Sequence, residues 1–215
     1  MRMNIELTNV IPEPLKGSLN PHSNIWNTKL TFEKGKQYLV DAQSGKGKST
    51  FVQCLYGIRR DYEGSIAIDN KLVKNATQQQ LSTWRKSHLS ILFQDLRLFL
   101  DLTALENIEL NMALDKGEYG SKIDYMTNKL QVSHLLDKKS KLLSYGERQR
   151  IALIRALAQP FEWILLDEPF SHLDKDNTTA CYELILEVCQ SNGAGIILTT
   201  LGEDSFIDFK NHYFL

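Results

Sequence analysis

The run Asp41-Ala42-Gln43-Ser44-Gly45-Lys46-Gly47-Lys48-Ser49-Thr50 gathers two glycines, two lysines and three hydroxyls within ten residues. A short apolar stretch ends at Asp41, and a helix is expected to begin at about Ser49. A loop between two such elements can hold phosphate. Gly45 and Gly47 let backbone amides turn inward around anionic oxygens, and the helix amino terminus adds partial positive charge. Lys48 can reach the β and γ phosphates of a nucleotide, while Ser49 can offer its hydroxyl to Mg²⁺. Ser44, Lys46 and Thr50 complete the loop. The usual spacing puts a glycine where this chain has Ala42, whose single methyl is tolerable if the backbone φ there is negative.

A second group of reactive residues closes the segment Trp163-Ile164-Leu165-Leu166-Asp167-Glu168-Pro169, an apolar strand ending in two carboxylates. On its own such a pair is commonly a solvated turn. Parallel α/β sheets bind ligands at the carboxyl ends of their strands, where the phosphate loop also emerges. There Asp167 is placed to organise Mg²⁺ through water, and Glu168 to polarise a water that attacks the γ-phosphate. Further upstream, Ser144 and Glu147 form a Ser-x-x-Glu capping box before the apolar helical face of Ile151, Ile154, Leu157 and Ala158. Amides near Ser144 and Gly146 then make another phosphate site, although capping boxes are common in helices of no such role.

The elements that must position these groups change character along the chain. Ile5 to Val10, Lys29 to Phe32, Gln37 to Asp41 and Ser65 to Asp69 read as short strands, with Lys34-Gly35 a hairpin-like break between the second and third. This first part looks antiparallel and β-rich. Pro12, Pro14 and Pro21 make the stretch from Ile11 to Asn24 an irregular loop. A helix is expected from about Leu81 and a strand at Leu89 to Phe93. Helical spacing of Leu105, Ile108, Leu110 and Leu114, broken by Gly117 and Gly120, marks an insert between Thr103 and Val132. The last third alternates helices at about Gly146 to Ala158 and Asn177 to Gln190 with strands at Trp163 to Leu166 and Ile196 to Thr200. That alternation predicts a parallel sheet.

Composition narrows the function classes. The chain has 215 residues, with 25 Lys and Arg against 26 Asp and Glu, so it carries no global basic field and nucleic acid is not an expected partner. Apolar residues at 42% and charged ones at 24% suit a folded domain rather than a disordered or coiled-coil one. No apolar stretch approaches the roughly 20 residues of a membrane span, and Arg2, Asn4 and Glu6 break any secretory signal. Cys54, Cys181 and Cys189 lack a CxxC pair and are expected as reduced core thiols.

Taken in order, these segments resemble the ATP-binding subunit of ABC transporters, and the resemblance spans nearly the whole chain. Ala42 to Thr50 is similar to the Walker A loop, Gln94 in Phe93-Gln94-Asp95 to the Q-loop, Leu143 to Glu147 to the signature motif, Trp163 to Glu168 to Walker B, and Ser171-His172-Leu173-Asp174 to the D-loop. The residues Phe93 to Leu98, with Asp101-Leu102-Thr103 and Glu106-Asn107, resemble the compact group serving lipoprotein release, macrolide export and cell division. The implied fold is an α/β P-loop NTPase with a mostly parallel core sheet, an amino-terminal antiparallel β lobe and a helical insert. One ABC ATPase domain would fill the chain: residues 1–93 as lobe and first part of the core, 94–158 as helical signature subdomain, and 159–215 as the rest of the core.

The resemblance implies ATP and Mg²⁺ as cofactors, Glu168, Gln94 and Lys48 as catalytic, and Ser49, Gln94 and Asp167 around the metal. Nucleotide would contact the loop of one protomer and Ser144, Gly146 and Asp174 across a head-to-tail homodimer. A separate membrane-spanning permease would hold the chain on the inner face of the cell membrane, docking through Gln94 to Glu109 and the insert. Two departures bear on the reaction. Tyr145 replaces the first glycine of the signature, and Leu201 stands where a switch histidine is expected; His172 lies in the D-loop and reads as a surface residue. A nucleotide-gated regulator with little turnover is therefore an alternative, and an ATPase of DNA repair or translation is the least favoured reading. Trp26 and His22 are candidates for stacking on adenine, Trp26 equally for the core.

Overall fold

Buried Ile5 and Leu7 alternate with exposed Glu6 in β1 (Ile5–Pro12), the period of a strand with one face on a core. The computed structural model describes residues 3–110, 120–202 and 209–215. Along the chain follow β2 (Lys29–Phe32), β3 (Gln37–Asp41), α1 (Lys48–Leu55), β4 (Tyr62–Ile68), β5 (Lys71–Leu72), α2 (Gln78–Ser87) and β6 (Leu89–Leu92). Then come α3 (Ala104–Glu109), α4 (Gly120–Lys129), α5 (Tyr145–Ala158), β7 (Trp163–Asp167), α6 (Lys175–Asn192), β8 (Gly195–Thr200) and β9 (Asn211–Phe214). Two sheets result: an antiparallel one in the order β2-β1-β4-β5, and a five-stranded one in the order β6-β7-β8-β3-β9. Every described pairing in the second sheet is parallel.

The parallel sheet divides the core in two. Tyr38, Val40, Leu165 and Ile197 join the apolar cluster under the antiparallel sheet and α1. Their sequence neighbours Leu39, Ile164, Leu166, Ile196 and Leu198 join the opposite cluster, with α3, α4, α5 and α6. Each fully buried Leu or Ile contributes about 1.5–3 kcal/mol. Strands β7 and β8 are buried at every position, which only helices or a lobe on both faces can satisfy.

Three expectations are corrected. Lys34-Gly35 does not close a hairpin: β2 pairs with β1, whereas β3 leaves for the parallel sheet between β8 and β9. The chain turns there with Gly35 at φ 82°, and β3 is buried on both faces at Tyr38 to Val40. The stretch after Val10 is also more regular than its prolines imply. It continues β1 to Pro12 and makes a 3₁₀ turn over Glu13–Leu15 with Pro14 inside its start. Within the helical region Ile108 is buried but Leu110 is 42% exposed, so Leu110 does not belong to the buried stripe. Leu114 and Gly117 lie outside the described residues, and α4 is described from Gly120. Cys54, Cys181 and Cys189 are free and buried. Among the described residues no helix is long and apolar enough to cross a membrane.

Candidate functional site

β3 delivers the chain to the phosphate loop, and α1 carries it away. Gly47 is the N-cap of α1 with φ 97°, a left-handed conformation that a side chain would strain. Gly45 is also left-handed at 75°, while Ala42 is absent from the positive-φ positions and so meets the condition its methyl required. Lys48, the first residue of α1, is folded back into the loop. Its ammonium donates to the Ala42 carbonyl at 2.8 Å and the Gln43 carbonyl at 3.2 Å, and pairs with Glu168 Oε1 at 3.2 Å. These partners match the three donors of an ammonium, and the side chain is only 4% exposed.

The carboxylates arrive from β7, two strands away. Asp167 ends the strand and is buried; Thr199 of β8 donates to its Oδ1 at 2.9 Å. Burial pushes the Asp167 carboxyl up, against hydrogen bonds from Ser49 and Thr199 that favour its charge; the neighbouring Glu168 adds to the rise. Glu168 takes φ 50°, left-handed and directly before Pro169, against two backbone preferences at once. Its amide, bonded to the Thr199 carbonyl at 3.2 Å, helps hold that geometry.

Gln94 joins the two halves. Its Nε2 donates to Glu168 Oε2 at 3.0 Å, and its Oε1 lies 3.4 Å from Ser49 Oγ. The single proton of Ser49 serves Gln94 or Asp167 at one time. Ser49, Gln94 and Asp167 thus present oxygen donors alone, the hard ligand set that suits Mg²⁺ and not a thiophilic metal.

One cleft of about 220 Å³ is lined by Ser44, Gly45, Gly47, Lys48, Ser49, Thr50, Gln94 and Glu168. Asp167 adjoins it through Ser49. Lys46 instead borders a neighbouring cavity of about 520 Å³ together with Leu201, which is 41% exposed. Ser144, Gly146 and Asp174 do not line the cleft of their own chain. Ser144 caps α5 in the expected box with Glu147, Gly146 packs beside the His172 carbonyl, and Asp174 caps α6 by accepting from the Asn177 amide at 2.8 Å. Trp26 is excluded as a stacking ring: it is 3% exposed and meets Phe51 edge-on in the core. His22 and His172 are exposed, and neither lines the cleft.

Two residues of the site escaped sequence reasoning. Leu15, on the 3₁₀ turn, lines the cleft and approaches Gly47 so closely that a Cβ there would lie 2.6 Å from Leu15 Cδ1. Thr199 holds both acids, and its only signal was a place in the Thr-Thr pair that ends an otherwise apolar strand.

Comparison with known proteins agrees with this fold. The family described as ABC transporter matches residues 25–171, more than half of the chain. An uncharacterized ABC transporter ATP-binding protein of Bacillus subtilis is 32% identical over 174 residues, 80% of this chain and 67% of the relative. The lipoprotein-releasing system ATP-binding protein LolD of Buchnera aphidicola is 33% identical over 162 residues, 74% of this chain and 71% of that protein. A dimeric bacterial ABC transporter cassette superposes with TM-score 0.79 at 26% identity, covering 92% of this chain and 88% of the other. A second structure of that cassette, a dimeric post-hydrolysis state bound to ADP and Pi, gives 0.78 at 25% identity, covering 91% and 87%. The resemblance first read from scattered motifs thus extends over the fold, and the chain belongs to the ABC transporter family as an ATP-binding subunit.

Proposed function

We propose that the cleft binds MgATP and hydrolyses it, and that two copies of the chain close head-to-tail over two nucleotides to drive a membrane permease. The observation that carries this reading is the convergence of Lys48, Ser49, Gln94 and Glu168, from three separate segments, on one cleft beside two left-handed glycines. Lys48 would exchange its carbonyl and carboxylate partners for phosphate oxygens, releasing Glu168 from the ion pair. Glu168, still held by Gln94, is then a base for water, and Ser44, Gly45 and Thr50 belong to the phosphate cradle with Lys46 at its rim. Ser49, Gln94 and Asp167 would hold Mg²⁺, which when bound neutralises phosphate charge and orients its oxygens. Ser144, Gly146 and Asp174 do not line this cleft, which leaves them free to serve the partner's nucleotide. The dimeric structures of the similar cassette support that arrangement.

Leu201 directly follows β8 and its side chain can neither donate nor accept a hydrogen bond, so turnover is expected to be slow. For the permease, Phe99, Leu100 and Leu142 are 61%, 47% and 72% exposed around the backbone bond from Lys141 to Leu100. A groove of about 320 Å³ lined by Tyr56, Arg85 and Leu110 opens elsewhere on the same chain. These apolar and concave surfaces suit a helix from a membrane protein, which would place the chain on the membrane's inner face.

Steady-state MgATP hydrolysis across a range of protein concentrations tests the reading. Turnover should rise more than linearly with concentration. Glu168→Gln should keep ATP affinity within about threefold while losing roughly 100-fold or more of kcat, the usual worth of a general base. Turnover indifferent to Glu168→Gln would sink it.

A further inference from the structure

Tyr145 is the first residue of α5 and lies between Ser144 and Gly146, and its side chain reaches the Gln94 backbone of its own chain. Its hydroxyl donates to the Gln94 carbonyl at 2.8 Å. Its ring is fixed on two sides: it meets the His172 ring edge-on with centroids 4.3 Å apart, and the Arg148 guanidinium lies 5.5 Å from its centre. Burial raises the phenol above its ordinary value, so the hydroxyl keeps its proton.

The far end of the same helix holds the same loop. Arg155 donates to the carbonyls of Leu96 and Arg97 at 2.5 and 2.7 Å. Those two residues are consecutively left-handed, at φ 60° and 48°, a backbone that persists only where its surroundings impose it. α5 therefore grips the segment after β6 at its beginning and its middle. Gln94 is the residue at the first grip, and its side chain bridges Ser49 and Glu168.

We propose that Tyr145 is a positioning residue for Gln94: its hydroxyl ties the first turn of α5 to the backbone carbonyl of the residue whose side chain orients Glu168. This rests on the reading of Gln94 and Glu168 as parts of the hydrolytic site. The tyrosine in place of a glycine thus adds a link that glycine has no atoms to make. It couples the turn that carries Ser144 and Gly146, which serve the partner's nucleotide, to the water-activating carboxylate of its own cleft. Any displacement of α5 is then felt at Glu168 through two hydrogen bonds.

Tyr145→Phe removes the donor and leaves the ring on His172 and Arg148, so folding should be preserved. In this variant kcat should fall roughly 3- to 10-fold, the worth of one hydrogen bond, with KM and ATP affinity within twofold. A merely structural role would move KM, affinity and Tm together. Hydrogen exchange without nucleotide supplies a readout independent of turnover: amides of 93–98 should exchange at least about threefold faster, while those of 149–158 stay unchanged. Unchanged exchange in 93–98, or a kcat equal to wild type, would overturn the proposal. A wild-type chain without turnover counts against the hydrolytic reading, and the exchange comparison still decides whether Tyr145 holds the Gln94 segment.

Discussion

Lys48 is a buried cation with three partners, two carbonyls of its own loop and Glu168. Phosphate offers the same ammonium more negative charge at the mouth of α1, so exchange is favourable. Lys48→Ala should weaken ATP binding roughly 10- to 100-fold, the worth of one charge-assisted hydrogen bond. Titration calorimetry checks this, and an unchanged affinity would remove the lysine from the site. Residues of this kind were readable because loop and acid pair are contiguous: the types and the spacing stand side by side in the chain. Leu15 and Thr199 were not. Each acts through a contact that only folding creates, Leu15 over Gly47 and Thr199 on Asp167. Tyr145 was visible as an intruder in its motif, but its partner at Gln94 lies 51 residues away.

Elements were readable where one period dominates. The capped start of α5 and the apolar runs of β7 and β8 stand as expected, because a capping box and a buried parallel strand are local patterns. The partner of a strand is not local, and the turn at Lys34-Gly35 serves a change of sheet as well as it would a hairpin. What joins β7 to β8 is unusually tight. Gly195 pairs with Trp163, and a Cβ on Gly195 would sit 2.4 Å from the indole Cζ3. The ring cannot give way, since it is fully buried and its Nε1 donates to the Met3 carbonyl at 2.7 Å. Gly195→Ala should therefore cost about 2 kcal/mol, seen as a lower urea midpoint with an unchanged slope.

The molecule as a whole presents half of each proposed nucleotide site, with the phosphate loop in one place and Ser144, Gly146 and Asp174 in another. Under the proposed sandwich, two copies would complete each site. With MgATP, Glu168→Gln should sediment as a dimer, and with MgADP as a monomer; a monomer under both conditions would refute the sandwich. Composition anticipated the folded, near-neutral character of the chain, because burial and charge are sums that do not depend on topology. Its cysteines have one more consequence. Burial pushes the thiols of Cys54, Cys181 and Cys189 each up to about 12, so at neutral pH only about one in 10⁵ of each is thiolate, the form that attacks maleimides. A single cysteine introduced on the surface would out-react all three native ones, and a dye pair could report the approach of two protomers in real time without a cysteine-free background.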